Sequence, residues 1–272
     1  MKHFFALCAI LCTCLASATS QIEANNGEFV ISAGYGNITN PVKDRDDITF
    51  YGLPEFVYYG ERFYIENTTV GYALLENEHW MVDAYAFLNE DGFFYQLDGT
   101  KALSIPGAIG NSYRQPTRRD PLPDVATLER NASYLAGFNV SNVTQWYTMQ
   151  LGWGKDVSGV HHGDEVTFQL FNRYIYHRFT FAWNVGARYK SAKINDYYYT
   201  VHEDEWAIPM RSPSIGETIT PWVKVAAHYY FDQHWSVGFT VQQNWLDAKL
   251  KRGYIVDETN YTSVFVGLSY KF

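Results

Sequence analysis

The segment "DVSGVHHGDE", Asp156 to Glu165, gathers the densest set of reactive side chains in the sequence. A hydrolytic reading makes Ser158 the nucleophile, His161 its base and Asp164 the orienting acid, as acyl transfer from a lipid ester would require. A metal reading uses His161, His162 and a carboxylate. Histidines at i and i+1 of an extended chain point to opposite sides, which works against a shared ion. The third reading is a hairpin loop at the rim of a sheet. Gly159 and Gly163 admit positive φ, Asp156 and Ser158 hydrogen-bond to local backbone, and the histidines meet water. Turn chemistry is permissive, so we favour the loop and assign no catalytic, metal or cofactor-binding residue. A triad is defined by geometry, which spacing does not supply.

A second cluster, "INDYYYTVHEDEW", begins at Ile194. Its three consecutive tyrosines suit a sugar- or lipid-binding rim, but tyrosine enrichment at a membrane interface, with loop packing, explains them more simply. "VHEDE" (Val201–Glu205) reads as a solvated acidic loop before it reads as a divalent-cation site.

The elements that must carry these loops repeat every two residues. In Arg178–Lys190 one face is Phe179, Phe181, Trp183, Val185, Ala187 and Tyr189, and the other is polar except for Ala182. Trp235, Val237, Phe239, Val241 and Trp245 alternate with Ser236, Gly238, Thr240, Gln242 and Asn244, with Gln243 the one polar break. Segments near 163–175, 219–231 and 260–272 share this period. Such runs are about ten residues long, enough for a tilted strand to cross a bilayer, whereas soluble strands usually have five or six. Aromatic residues at the ends of the apolar faces, Trp183 and Tyr189, Trp235 and Trp245, Tyr270 and Phe272, fit interfacial girdles. Arg173, Arg178, Arg188, Lys190 and Lys224 fall on the polar faces, which places them in a lumen. There they line a channel or pair with inward acids such as Glu165 and Asp83. A soluble sandwich also alternates, but strand length and aromatic placement point to a transmembrane antiparallel β-barrel whose apolar face is covered by lipid.

The first residues, "MKHFFALCAILCTCLASATSQ", carry a positive start, a short apolar stretch and a small-residue site. This predicts a signal peptide over 1–18, with cleavage at 20 as the alternative, and a barrel over 19–272. All 3 cysteines lie in that leader, so the mature chain owes nothing to disulfides. The 272 residues are 18% aromatic with a formal net charge of −8. An acidic balance argues against nucleic acid as a partner, because phosphate rewards a basic surface.

Eleven strand candidates are evident: 28–37, 48–58, 62–73, 79–89, 131–140, 144–154, 163–175, 178–192, 219–231, 234–249 and 260–272. An even number is expected for a bacterial single-chain barrel, so we expect twelve, with ten as the fallback. Gly92–Leu103 is the leading twelfth strand and Ile194–Val201 the other contender. "IYHRF", "YFDQHW" and "NVSNVT" (Asn139–Thr144) read as tight turns. Long outer loops are expected near 91–130, which holds Pro106, Pro116, Pro121 and Pro123, and near 195–221. At ten or twelve strands the bore is small, and a plugged or narrow interior is expected.

"GLPEFVYYGERFYIEN" (Gly52–Asn67), "KDVSGVHHGDEV" (Lys155–Val166), "INDYYYTV" and the run from Tyr229 to Phe272 resemble, in order and spacing, the MipA/OmpV family of outer-membrane proteins. The resemblance runs from about Gly27 onward and departs over 91–130. It implies a non-enzymatic scaffold of the cell envelope that brings a lytic murein transglycosylase together with a penicillin-binding murein polymerase. Other members are linked to adhesion or to antibiotic and stress responses. The family supplies no agreed catalytic residues. The closing alternating strand and Phe272 also resemble the signal that outer-membrane barrels present to their assembly machinery. A narrow channel for small solutes and a lipid hydrolase using Ser158 and His161 are the alternative expectations.

Overall fold

A computed structural model describes residues 25–97, 101–102, 125, 128–205 and 213–272. The expected signal peptide and most of the Pro-rich connection lie outside the described residues. Twelve antiparallel strands form a closed barrel: β1 Asn26–Ile38, β2 Ile48–Tyr59, β3 Phe63–Glu66, β4 Thr69–Glu76, β5 Trp80–Asn89, β7 Ser133–Val143, β8 Thr148–Asp156, β9 Asp164–Tyr176, β10 Phe179–Lys190, β11 Thr218–Tyr230, β12 Trp235–Trp245 and β13 Asn260–Lys271. A two-residue strand β6, Lys101–Ala102, adds in parallel to Thr49 and Phe50 of β2. Each strand pairs with its neighbours in sequence. Closure comes from β1 against β13, with Val30 opposite Lys271 and Ile38 opposite Ser263. Phe272 extends that ladder by donating its N–H to the Phe29 carbonyl at 3.0 Å. Closing the ladder joins the first strand to the last, as hydrocarbon demands, and on the other side of β2 the short strand β3 pairs with Val57–Tyr59.

The alternation sorts side chains between lipid and lumen. Phe138, Phe181, Phe239 and Val266 project outward and are about half exposed, while Ser32, Ser236 and Ser269 are buried inside. The Gln243 break is satisfied on the outer face, where its amide oxygen accepts from the Thr262 hydroxyl at 2.5 Å. Trp235 opens β12 and Trp245 closes it, and Tyr189, Tyr270 and Phe272 also lie at barrel ends; Trp183 lies four residues inside β10.

Twelve strands are present, but the twelfth is not Gly92–Leu103. The 62–73 segment divides into β3 and β4 around Asn67-Thr68. Asn67 adopts φ 52°, and its side-chain oxygen accepts from Phe56 N–H at 2.9 Å. Asparagine tolerates the left-handed conformation a tight hairpin needs, so the turn hides inside an apolar run. Within 92–103, Phe93–Gln96 instead form a helical turn, α1. Ile194–Val201 is not a strand either, because Ala192–Tyr199 form helix α2. The expected turn at Asn139–Thr144 shifts as well. Strand β7 runs through Val143, and Thr144–Tyr147 turn the chain, with the Thr144 hydroxyl donating to the Tyr147 carbonyl at 2.6 Å.

Connections between strands alternate in length, except for the two-residue Asn67-Thr68 turn between β3 and β4. The end holding Asn26 and Lys271 has short turns at 60–62, 77–79, 144–147, 177–178 and 231–234; we call it the turn end. The opposite, loop end carries 39–47, 90–132, 157–163, 191–217 and 246–259. Segments of those loops fold into the bore rather than away from it. Phe94, Tyr95, Ile194, Tyr199, Leu250 and Ile255 belong to one buried apolar cluster, together with Ile48 and Leu135 from the wall. The bore is thus filled at its loop end by a core built from the chain's own connections. Gly253 shows how close the pieces lie: a Cβ there would sit 1.7 Å from the Tyr199 carbonyl oxygen.

Candidate functional site

The two chemically dense segments meet at this plug. Asp156, the last residue of β8, turns its carboxylate into the loop that follows, where its side chain has no solvent exposure. One oxygen accepts from Ser158 N–H (2.8 Å), Ser158 Oγ–H (2.6 Å) and Gly159 N–H (3.1 Å). The other accepts from the N–H groups of His161 and His162, both at 2.7 Å. Five donors on one carboxylate fold the loop around it, a charge-assisted form of the Asx turn.

This arrangement uses Ser158 and His161 separately. Ser158 Oγ donates to Asp156 and accepts from Tyr134 N–H at 3.1 Å, so its proton is directed at a carboxylate. His161 Nδ1 accepts from Gly163 N–H at 2.9 Å, which leaves Nε2 protonated and donating to Ser133 Oγ, also at 2.9 Å. Both ring nitrogens are therefore engaged away from Ser158. Asp164 belongs to β9, where its N–H is held by Ser191 Oγ at 2.9 Å. His162 is exposed with φ 55° and does not share a site with the buried His161. No group of three or more His, Cys, Asp or Glu among the described residues is placed to hold a metal ion. Burial disfavours the imidazolium and lowers the His161 pKa, although the nearby Asp156 charge opposes this. A neutral ring suits its role as acceptor from Gly163 and donor to Ser133.

Ser133 passes the connection to helix α2. The Tyr198 hydroxyl donates to Asn131 O at 2.8 Å and lies 3.2 Å from Ser133 Oγ. Tyr199 donates to Asp91 at 2.8 Å, and Lys190 Nζ contacts both Asp91 oxygens at 2.5 Å. Burial alone would raise the Asp91 carboxyl, but the Lys190 ammonium and the Tyr199 hydroxyl hold it below the usual carboxylate range. Asn195 bonds to Gly216 O (2.7 Å) and Thr218 (3.2 Å), fastening the other side of the helix to β11. Arg130 forks onto Glu205 at 2.5 and 2.9 Å and also donates to Tyr197 O and Thr200 O. The three tyrosines are plug residues, with Tyr198 and Tyr199 fully enclosed. Helical spacing fans consecutive side chains by about 100° each, so Tyr199 reaches Asp91 while the Tyr197 and Tyr198 hydroxyls both meet the backbone of Asn131. Ser133, Arg130 and Asp91 carry this structure and have no motif around them that marks it.

The lumen charges fall into two groups. Arg188 lies 3.1 Å from Glu165, which also accepts from Asn89 at 3.3 Å, and with Lys190 it forms the polar floor of the plug. Asp83 instead takes a 3.4 Å bond from Asn139. Arg173, Arg178 and Lys224 lie below, on the β9–β11 side of the bore. A cavity of about 800 Å³ opens at the turn end, lined in part by Glu28, Arg173, Arg178, Thr180, Asp232 and Lys271.

Comparison with known proteins adds the following. A protein named MltA-interacting protein from Escherichia coli (strain K12) is 23% identical over 259 residues, covering 95% of this chain and 96% of that one. The protein YiaT of the same strain, whose name refers it to the outer membrane, is 22% identical over 259 residues, covering 95% of this chain and 94% of its own. Among solved structures, the COG4313 outer membrane channel from Pseudomonas putida F1 covers 94% of this chain and 98% of its own, with 7% identity and a TM-score of 0.41. The protein is an outer-membrane β-barrel. Residues 31–272 match the family described as MltA-interacting protein MipA, and the chain belongs to that family.

Proposed function

We propose that this chain is a non-enzymatic scaffold that holds a murein-processing enzyme at the periplasmic end of its barrel. The observation that carries the reading is the asymmetry of the bore, which is packed with apolar side chains at the loop end and open in a cavity of about 800 Å³ at the turn end. Short turns mark the periplasmic side of bacterial barrels, so the open end faces the compartment that contains murein. The name of the relatives, MltA-interacting protein, supplies the partner class, a lytic murein transglycosylase. A penicillin-binding murein polymerase is the second member of the same assembly, and the barrel assembly machinery engages the β13 end at Phe272. The test is binding of the refolded barrel in neutral detergent to a purified lytic transglycosylase. A saturable complex weakened by substitutions in the 177–178 and 231–234 turns is expected. Absence of any complex, from a barrel shown to be folded, would refute the proposal.

A narrow channel is the second reading, favoured by Arg173, Arg178 and Lys224 facing the bore. Discrete conductance steps in a planar bilayer would support it, and an electrically silent barrel would dispose of it.

A further inference from the structure

Building on the channel reading above, we infer that the bore is a gated passage whose closed state is held by helix α2. The wall beneath the plug is the first support. Bore-facing side chains of β5 to β11 form a hydrogen-bonded belt there. Asn139 Nδ2 lies 3.4 Å from an Asp83 oxygen and 3.3 Å from Ser141 Oγ, which also accepts from Gln150 at 3.3 Å. Gln169 donates to Gln150, Asn184 to Gln169 at 2.8 Å, and the Trp222 indole to Asn184 at 2.8 Å. A side-chain amide has donor hydrogens and acceptor lone pairs in pairs, and the belt uses only part of them. A bore meant to stay dry is better lined with apolar residues, since buried polar groups cost free energy unless they are bonded. This wall suits water, and below it lies the cavity of about 800 Å³.

The plug meets the wall through contacts that can be undone. Side chains join α2 to it: Tyr199 to Asp91 beside Lys190, Asn195 to Thr218, and Tyr198 to Ser133. A buried ion pair such as Lys190–Asp91 adds little stability over apolar packing of the same volume, but it selects one arrangement. The chain returns from α2 to β11 through Gly216, which adopts φ 77° with nothing among the described residues within 4 Å of where a Cβ would lie. A glycine in open space absorbs a large backbone rotation and serves as a hinge. The helix itself is packed without clearance. A Cβ on Gly163 would lie 2.7 Å from Ile194 Cγ1, and one on Gly253 would collide with the Tyr199 carbonyl. A methyl group at either glycine levers α2 away from its seat.

Planar-bilayer recording of the refolded full barrel tests the gate. The wild type is expected to stay closed, with rare openings. Gly253→Ala wedges the helix, and Asp91→Asn/Lys190→Met removes the latch without stranding a charge. Each is expected to raise the open fraction about tenfold or more and to leave the size of the conductance step unchanged, because a population shift alters occupancy and not the pore. A third barrel, with Ala192–Tyr199 replaced by a glycine–serine linker, is expected to conduct continuously at that same step. If it conducts while both folded variants stay silent, or if the wild type is open as often as they are, the gate falls and the channel reading stands. If the linker barrel is silent too, both fall. Steps of different size in the two variants would mean a damaged wall and would also overturn the gate.

Discussion

Replacing Asp156 by alanine isolates the latch that joins the β8–β9 loop to the plug. The substitution removes the acceptor of five hydrogen bonds and leaves four backbone N–H groups behind. Those of Ser158, Gly159 and His162 lie in exposed residues and regain water, so each loses only the net worth of one bond. The N–H of His161 is in a buried residue and is left orphaned. With about 0.5–1.5 kcal/mol for each of the three rehydrated N–H bonds and the Ser158 hydroxyl bond, and about 1–3 kcal/mol for the orphan, the loop loses about 3–9 kcal/mol. Amide exchange monitored by mass spectrometry reads this directly. Protection in 157–163 and in α2 should drop by about two orders of magnitude or more, at roughly 1.4 kcal/mol per tenfold. Amides of β12 and β13, on the far side of the barrel, should keep theirs. Asp156→Asn is the discriminating companion. It is isosteric, yet it sets an NH₂ group against the N–H groups of one pair of donors, so it should release the loop although nothing is removed from the packing. Retention of protection within threefold in Asp156→Ala would refute the latch, as would equal loss across all strands.

Three further outcomes are expected. Lys190→Met strands the buried Asp91 carboxylate and should cost the barrel about 3–5 kcal/mol in denaturant titration, with much of it restored by adding Asp91→Asn; a neutral single variant would show the pair to be dispensable. Because burial lowers the folded-state pKa of His161, the unfolded loop takes up its proton first. Stability is therefore full above about pH 6.5, the ordinary histidine value, and is lost as pH falls from there toward the folded pKa. Exchange at Gly163 and α2, corrected for intrinsic rates, should speed up over that interval and be flat in His161→Asn; the opposite slope would mean the ring is charged in the fold. Phe239→Arg on the lipid face of β12 should destabilise by about 2–4 kcal/mol, with Gln242→Arg on the bore face costing far less, and equal costs would contradict the assigned facing.

The barrel was legible in the sequence because a strand in a membrane wall must satisfy two solvents at once, and a period of two follows from that at every position. The β9–β13 wall shows this: its runs alternate along their length, and the strands lie where that alternation runs. Where a turn satisfied the same pattern, the reading failed. Asn67-Thr68 interrupts an apolar run with residues that a strand also tolerates, and only the left-handed backbone at Asn67 reveals two strands in place of one. The family motifs were visible as clusters of reactive types, but their use was not. Ser158, His161 and Asp164 are close in sequence, which admits a hydrolytic reading, while the favoured loop reading has Asp156 and Ser158 bonding to local backbone, as they do. Which donor faces which acceptor depends on partners far along the chain: Ser133 for His161, Asn131 for Tyr198, Asp91 for Lys190 and Tyr199. Local residue types fixed what each group is able to bond; the inward folding of the loops, driven by burial of apolar side chains such as Ile194, Leu250 and Ile255, decided what each one does bond.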